Sequence, residues 1–97
     1  MAQTVSECLT AATDSVTVIN DINSKGKASK HIVASDPSAG VTQADANARV
    51  KANVDHLTLI LAYDGTGETP NVKDASDNKS SYTTAITTGN TYISNNS

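Results

Sequence analysis

The stretch that decides the fold runs from Ala44 to Tyr63 and reads ADANARVKANVDHLTLILAY. As a helix it carries apolar residues on two opposite sides, because successive residues turn by about 100° around a helix axis. One side has the stripe typical of a core-facing helix, made of Val50, Val54, Leu57 and Leu61. The opposite side has a second row, which we call the outer ridge: Ala48, Ala52, Leu59 and Tyr63.

The outer ridge has two interpretations. It is a contact surface for another molecule, including a further copy of the chain, or it is covered within the chain by the first helix or by the loop around Ile32 and Val33. Burying Leu59 contributes about 1.5–3 kcal/mol in either case. The interface hypothesis assigns the contact to the four ridge residues, with cover inside the chain as its alternative.

A first helix is predicted from Val5 to Ser24. Thr4 and Glu7 have the spacing of a capping box, in which two side chains satisfy the free N–H groups at a helix start. Gly26 then ends the helix. Apolar residues recur between these signals at helical spacing: Val5, Cys8, Leu9, Ala12, Val16 and Ile19.

The connection that follows, residues 27–41, is longer than most connections in small bundles. Asp36 to Gly40 has the composition of a turn, since proline pre-sets one dihedral angle and glycine supplies conformational freedom. We expect Ile32 and Val33 to anchor this loop by packing against the helices.

Thr42 and Asp45 repeat the capping-box spacing, so a second helix is predicted to begin directly after Thr42. Asp45 and Arg49 place an acid four residues before a base, which is the favourable order on a helix surface. Lys51 and Asp55 have the reverse order, and this pair should help less.

The last segment has two readings. Five apolar or small residues fit one face of a helix, namely Tyr82, Ala85, Ile86, Gly89 and Ile93, with Asp77 or Ser80 as the cap. The rival is a hairpin with strands at Tyr82–Thr87 and Thr91–Ser94, favoured by the many β-branched threonines. We prefer the helix, because strand alternation breaks at Thr83-Thr84 and again at Ala85-Ile86. In that helix Gly89 lies on the buried face and permits close helix approach.

Together these patterns predict an all-α fold, a small antiparallel three-helix bundle with a long first connection. The chain is interpreted as a single helical domain over residues 1–97. Its core has no Phe or Trp and depends on aliphatic residues. The predicted helices are Val5–Ser24, Gln43–Tyr63 and Asn78–Ser94.

Composition excludes several classes of partner. The net charge of −3 and a pI near 5.0 argue against nucleic-acid binding, which needs a basic surface. No apolar run is long enough for a membrane span, and the first residues lack the pattern of a secretory signal. Cys8 is the only cysteine, so no intramolecular disulfide can form.

No group of residues has the pattern of a catalytic or metal site. Cys8 lies on the apolar stripe of the first helix, His56 lies at the margin of the second, and His31 lies in the loop, so neither a nucleophile nor a zinc site is expected. We therefore predict no enzyme activity, cofactor, metal or small-molecule substrate. Two segments start like a calcium loop, with oxygen-bearing side chains at every second position, but lack its later glycine and glutamate. They are Asp64, Thr66 and Glu68 in one segment and Asp74, Ser76 and Asn78 in the other.

Two motifs resemble a known group of proteins. Val50 to Ala62 contains the pattern K-x-N-V-x-H-L-x-x-x-L, and Ala85 to Ile93 contains A-I-x-x-G-x-x-Y-I. In this order the motifs resemble short uncharacterised proteins encoded in tailed-phage genomes, over about Val50–Ser94. The threonine-rich last segment departs from the more alanine-rich look of that group. The resemblance implies a phage setting and a terminal helix, and it supplies no catalytic residue.

The expected function follows from the resemblance, the absence of a chemical motif and the many uncharged polar residues. We expect a non-enzymatic virion structural or accessory protein, present in many copies and bound to other virion proteins or to copies of itself. The alternative is a small phage-encoded protein of the host cytoplasm that binds and modulates a host or phage partner.

Overall fold

The computed structural model describes residues 3–97, which form three α-helices joined by two loops. The helices are α1 at Val5–Lys25, α2 at Gln43–Leu61 and α3 at Ser80–Asn95, with a short 3-10 turn at Gly26–Ala28. Within residues 3–97 the only β-type pairing is one isolated bridge between Asp64 and Asn71. The predicted all-α class is confirmed.

Both capping boxes predicted from the sequence are confirmed. Thr4 Oγ1 accepts a hydrogen bond from the Glu7 N–H at 3.1 Å, and the Glu7 carboxylate accepts one from the Thr4 N–H at 2.9 Å. Thr42 and Asp45 form the same reciprocal pair at the start of α2. Because these side chains satisfy donors that a helix start leaves free, α1 and α2 begin where the sequence predicts.

The end of α2 differs from the prediction. The helix stops at Leu61 rather than Tyr63, because its last turn tightens and the Tyr63 N–H donates to the carbonyl only three residues earlier. The Tyr63 carbonyl then leaves the helix direction and accepts from the Lys73 N–H at 2.8 Å. This contact draws the second loop back onto the end of α2.

The start of α3 also differs. The helix begins at Ser80 rather than Asn78, because the Asn78 side-chain oxygen accepts from both the N–H and the hydroxyl of Ser80 at 3.0 and 2.8 Å and forms a turn. The prediction that Asp77 or Ser80 caps this helix is wrong, since Lys79 occupies the cap position.

The helical reading of the last segment is confirmed, and the hairpin is wrong. Gly89 is buried in α3 against Val50 and Val54 of α2. A Cβ at this position would overlap Val54 and would lie 3.1 Å from Val50 Cγ1. The prediction that Gly89 permits close helix approach is therefore confirmed.

Hydrogen bonds between helix ends define the directions of the helices. Tyr82, near the start of α3, contacts Thr13 in the first half of α1 at 3.2 Å between hydroxyl oxygens. Gln43, at the start of α2, donates to the hydroxyl of Tyr92 near the end of α3 at 2.9 Å. Since α2 thus runs opposite to the other two, and each helix contacts both others, the predicted antiparallel three-helix bundle is confirmed.

The core is mainly aliphatic, with Tyr92 as its one aromatic residue among those described, and each loop contributes one apolar residue to it. Ile32 is buried as predicted, but Val33 is 80% exposed, so the expectation that both anchor the first loop is half wrong. Val72 of the second loop is fully buried, and the Lys79 ammonium donates to its carbonyl at 2.7 Å. The buried apolar residues are Cys8, Ala12, Ile19, Ile22, Ile32, Ala46, Val50, Val54, Leu57, Ile60, Val72, Ala85 and Tyr92.

Candidate functional site

Most of the outer ridge lies on the open surface of α2. Ala48 and Ala52 are exposed, and Leu59 is 56% exposed. Tyr63 behaves differently, because it lies beyond the end of the helix, is half-buried and packs against the core. The exposed part of the outer ridge is therefore Ala48, Ala52 and Leu59.

The first loop stands beside the ridge without covering it. Ile32 turns into the core, whereas Val33 projects outward and forms one wall of a shallow surface depression of about 280 Å³. We call this depression the Val33 groove. It is lined by Val33, Ser35, Asp45, Ala48, Arg49 and Ala52, so it opens directly onto the first half of the outer ridge.

Asp45 fixes the position of the loop wall. Its carboxylate accepts hydrogen bonds from the Thr42 N–H at 2.8 Å, from the Ser35 N–H at 3.0 Å and from the Ser35 hydroxyl. The same side chain thus closes the capping box of α2 and ties the loop to the first turn of that helix. The Val33 groove therefore lies where the first loop is hydrogen-bonded to the first turn of α2.

These hydrogen bonds lower the pKa of Asp45 from 3.8 to about 2. The largest contribution comes from the Ser35 hydroxyl, followed by the N–H groups of Thr42 and Ser35, because all of these donors favour the charged carboxylate. Asp45 faces the loop and makes no ion pair with Arg49 within the described residues. The predicted Asp45–Arg49 pair is therefore wrong.

The charges along the ridge are arranged differently from the prediction. Lys51 and Asp55, the pair of less favourable order, make an ion pair of 3.2 Å on one margin of the ridge. Both side chains are well exposed, at 69% and 61%. Arg49 lies at the other margin and has no carboxylate partner among residues 3–97.

Among residues 3–97, the contact between Ser15 and His56 is the one that resembles catalytic chemistry. Ser15 Oγ lies 3.0 Å from His56 Nδ1, but Ser15 is only 3% exposed and does not line the Val33 groove. The neighbouring Asp55 pairs with Lys51 and does not orient the imidazole. Because a serine nucleophile needs access to substrate and an oriented base, this pair acts as a link between α1 and α2.

The other candidate groups are also used by the fold. Cys8 is fully buried, and burial together with the nearby charge of Glu7 raises the pKa of its thiol, which disfavours the reactive thiolate. The Asp64 carboxylate accepts from the N–H and hydroxyl of Thr66 at 3.2 and 2.7 Å. Among residues 3–97, no three His, Cys, Asp or Glu side chains come together as a metal site.

Three further surface depressions lie between the helices. One, of about 390 Å³, is lined by four threonines of α3, namely Thr84, Thr87, Thr88 and Thr91, and by Asn23 of α1. Another lies between the first halves of α1 and α3 beside Tyr82, and a third lies beside Leu61 and Ile86. No buried side-chain nitrogen or oxygen in the described chain lacks a hydrogen-bond partner.

The outer ridge is visible in the sequence pattern, but the loop and side-chain contacts around it are not. The exposure of Val33 and the Ser35–Asp45 contact depend on how a loop folds back on a helix, and no local pattern encodes that. The Ser15–His56 link joins residues 41 positions apart, so it had no signal in either helix alone.

None of the described helices has the length and apolar character needed to cross a membrane.

Comparisons with protein-family models, with curated proteins and with solved structures find no match to this chain. The resemblance to proteins of tailed-phage genomes therefore stays a prediction from the sequence.

Proposed function

We propose that this chain is a non-enzymatic structural or accessory protein of a phage virion, present in many copies and acting through protein–protein contacts. The observation that carries the proposal is the exposed part of the outer ridge, with the Val33 groove beside it. Exposed apolar side chains that lie along one face and are rimmed by polar residues are found at many protein contact sites. Leu59 and Val33 are the two large apolar side chains that the fold leaves exposed among the described residues.

The use of the polar groups supports a binding role. Cys8 fills the core, Asp45 fixes the first loop, and Ser15 and His56 link two helices. Each of these groups therefore has a structural partner. The surfaces that remain open to a partner include the outer ridge and the Val33 groove, with the charged side chains of Lys51, Asp55 and Arg49 along their margins.

The remaining surface supports a setting in a repetitive assembly. Thr and Ser make up about a quarter of the chain, and many of them lie on the outer faces of α1 and α3. Several threonine hydroxyls donate to the carbonyl one turn earlier, as Thr10, Thr13 and Thr17 do in α1. Such a surface carries little charge, so neighbouring copies can pack without strong mutual repulsion.

Mass spectrometry of purified particles of a phage that encodes the chain tests this proposal. We expect many copies per particle, in a constant ratio to the major capsid protein. The control is the whole lysate of infected cells, which reports how much of the protein is made. If the protein is abundant in the lysate but absent from the particles, the virion role is wrong. The alternative, a protein of the host cytoplasm that modulates a host or phage partner, would then replace it.

A further inference from the structure

We propose that the occupant of the outer ridge is a second copy of this chain. The two α2 helices pack antiparallel about a twofold axis that crosses the ridge at the level of Asn53 along the helix. The inference rests on the proposed function, because it names the partner of the contact face. A twofold interface uses the same patch on both copies, so every contact occurs twice. In this arrangement, a residue that precedes Asn53 by a given number of positions faces the residue that follows it by the same number.

The charges along one margin of the ridge fit this arrangement. Lys51 lies two positions before Asn53, and Asp55 lies two positions after it. The axis therefore places Lys51 of each copy opposite Asp55 of the other. Within one chain the two side chains are already 3.2 Å apart and well exposed, so the dimer creates a ring of four alternating charges. The margin is thus complementary to itself only when the helices run antiparallel.

The shape of the ridge gives almost the same axis. Leu59 lies six positions after Asn53, and Ala48 lies five positions before it. With a helical rise of about 1.5 Å per residue, Leu59 of one copy comes within about one residue of Ala48 of the other. Leu59 can then fill the Val33 groove, whose volume is about 280 Å³. Leu59 and the Val33 groove that can receive it thus lie at nearly equal distances from the twofold axis, in opposite directions along α2.

The small residues of the ridge permit this contact. Ala48 and Ala52 have no side chain beyond Cβ, so a second helix can approach closely along this row. The contact is nevertheless narrow, because it involves one 19-residue helix and the tip of a loop. It falls below the roughly 800 Å² per partner of standard stable interfaces, so the dimer is weak in solution. On a particle, tethering raises the effective concentration to the millimolar range and favours pairing.

A charge-exchange experiment tests the dimer and its register. We expect the full chain to dimerise in analytical ultracentrifugation as its concentration rises to about 1 mM. Lys51→Glu alone and Asp55→Lys alone should each weaken association by about tenfold or more, because like charges then face each other. An equimolar mixture of the two variants should associate again as a heterodimer. In that mixture the acidic margin of one variant faces the basic margin of the other.

Both positions are exposed, so the variants keep the fold, which circular dichroism verifies. Lys30→Glu makes the same charge change at an exposed position that belongs neither to the outer ridge nor to the lining of the Val33 groove, and it should leave association unaltered. The proposal is overturned if the unaltered chain stays monomeric at about 1 mM, or if the single variants associate as it does. A monomeric protein that is still abundant in particles would overturn the dimer alone. The proposed function would then stand, with a different virion protein on the ridge.

Discussion

Gly89 sets the distance between α2 and α3. Its α-carbon faces two valines of α2, and the space that a side chain would occupy is already filled by Val54 and Val50. Glycine costs about 1 kcal/mol in a helix interior relative to alanine, because it loses more backbone freedom on folding. The fold accepts this cost because a residue without a side chain lets α3 come into close contact with Val50 and Val54 of α2.

We expect Gly89→Ala to lower the free energy of unfolding by up to about 2 kcal/mol, the overpacking cost less the gain in helix propensity. Overpacking of a close contact costs about 1–3 kcal/mol, which exceeds the gain in helix propensity. Urea unfolding followed by circular dichroism measures the change. Asn90→Ala is the matched control, because Asn90 is exposed on the same helix and its replacement gains propensity without a clash. A Gly89→Ala protein as stable as the control would contradict the close approach.

At the scale of the element, the start of α2 depends on one carboxylate with two tasks. Asp45 completes the capping box with Thr42 and also binds Ser35 of the loop. The helix start and the loop wall are therefore coupled, and a change in the charge of Asp45 affects both.

This coupling predicts a specific pH dependence. The pKa of Asp45 in the folded chain is about 2, below its ordinary value of 3.8, so the ionised carboxylate stabilises the fold above about pH 4. That stabilisation is lost as the pH falls from about 4 to about 2. Urea unfolding of the natural chain and of Asp45→Asn at a series of pH values measures it. We expect the natural chain to be the more stable at pH 6 and the difference to shrink towards pH 2.

The comparison with Asp45→Asn removes the effect of other carboxylates. Three other carboxylates also have a lowered pKa, because each accepts a hydrogen bond from a nearby hydroxyl: Asp21, Asp36 and Asp64. Both proteins contain these three, so their effect on stability cancels in the comparison. Ser35→Ala should move the loss of stability to higher pH, since it removes the strongest donor to Asp45. A stability difference independent of pH would argue against the ionised cap.

The elements could be predicted because their signals are local. Thr4 and Glu7 meet within one helical turn, and the apolar spacing of α2 is visible in the sequence itself. The surroundings of the ridge could not be predicted in this way. Whether Val33 faces the core or the solvent depends on the Ser35–Asp45 contact, which forms only when the loop folds back across α2.

At the scale of the whole molecule, the bundle is elongated, with extents of 43 × 26 × 18 Å. Its helices bury their apolar stripes against one another, and α2 keeps its second apolar row on the outside. The polar faces of α1 and α3 carry mainly hydroxyl and amide groups. The molecule therefore has one surface that differs in character from the rest.

We expect Leu59→Lys to abolish incorporation into particles while the chain stays folded. The side chain is 56% exposed, so a lysine can extend into water without disturbing the core, but it would place a charge in an apolar contact. Particle content is measured by mass spectrometry and helical signal by circular dichroism at low concentration. Thr17→Lys adds the same charge to an exposed position of α1 and should be incorporated normally.

Loss of the helical signal in Leu59→Lys at low concentration, before any change in association, would mean that this leucine belongs to the core. Normal incorporation of a folded Leu59→Lys protein would instead mean that the ridge is not the surface used in assembly.

The link between Ser15 and His56 gives the molecule an internal spectroscopic reporter. When the serine hydroxyl donates to Nδ1, the imidazole proton is confined to Nε2, and when the roles reverse it lies on Nδ1. The chain has two histidines, His31 and His56, so a His31→Gln variant leaves the His56 ring nitrogens to be observed alone. The nitrogen chemical shifts of that ring therefore report on the hydrogen bond between Ser15 of α1 and His56 of α2. They do so in free protein and in an assembled particle alike.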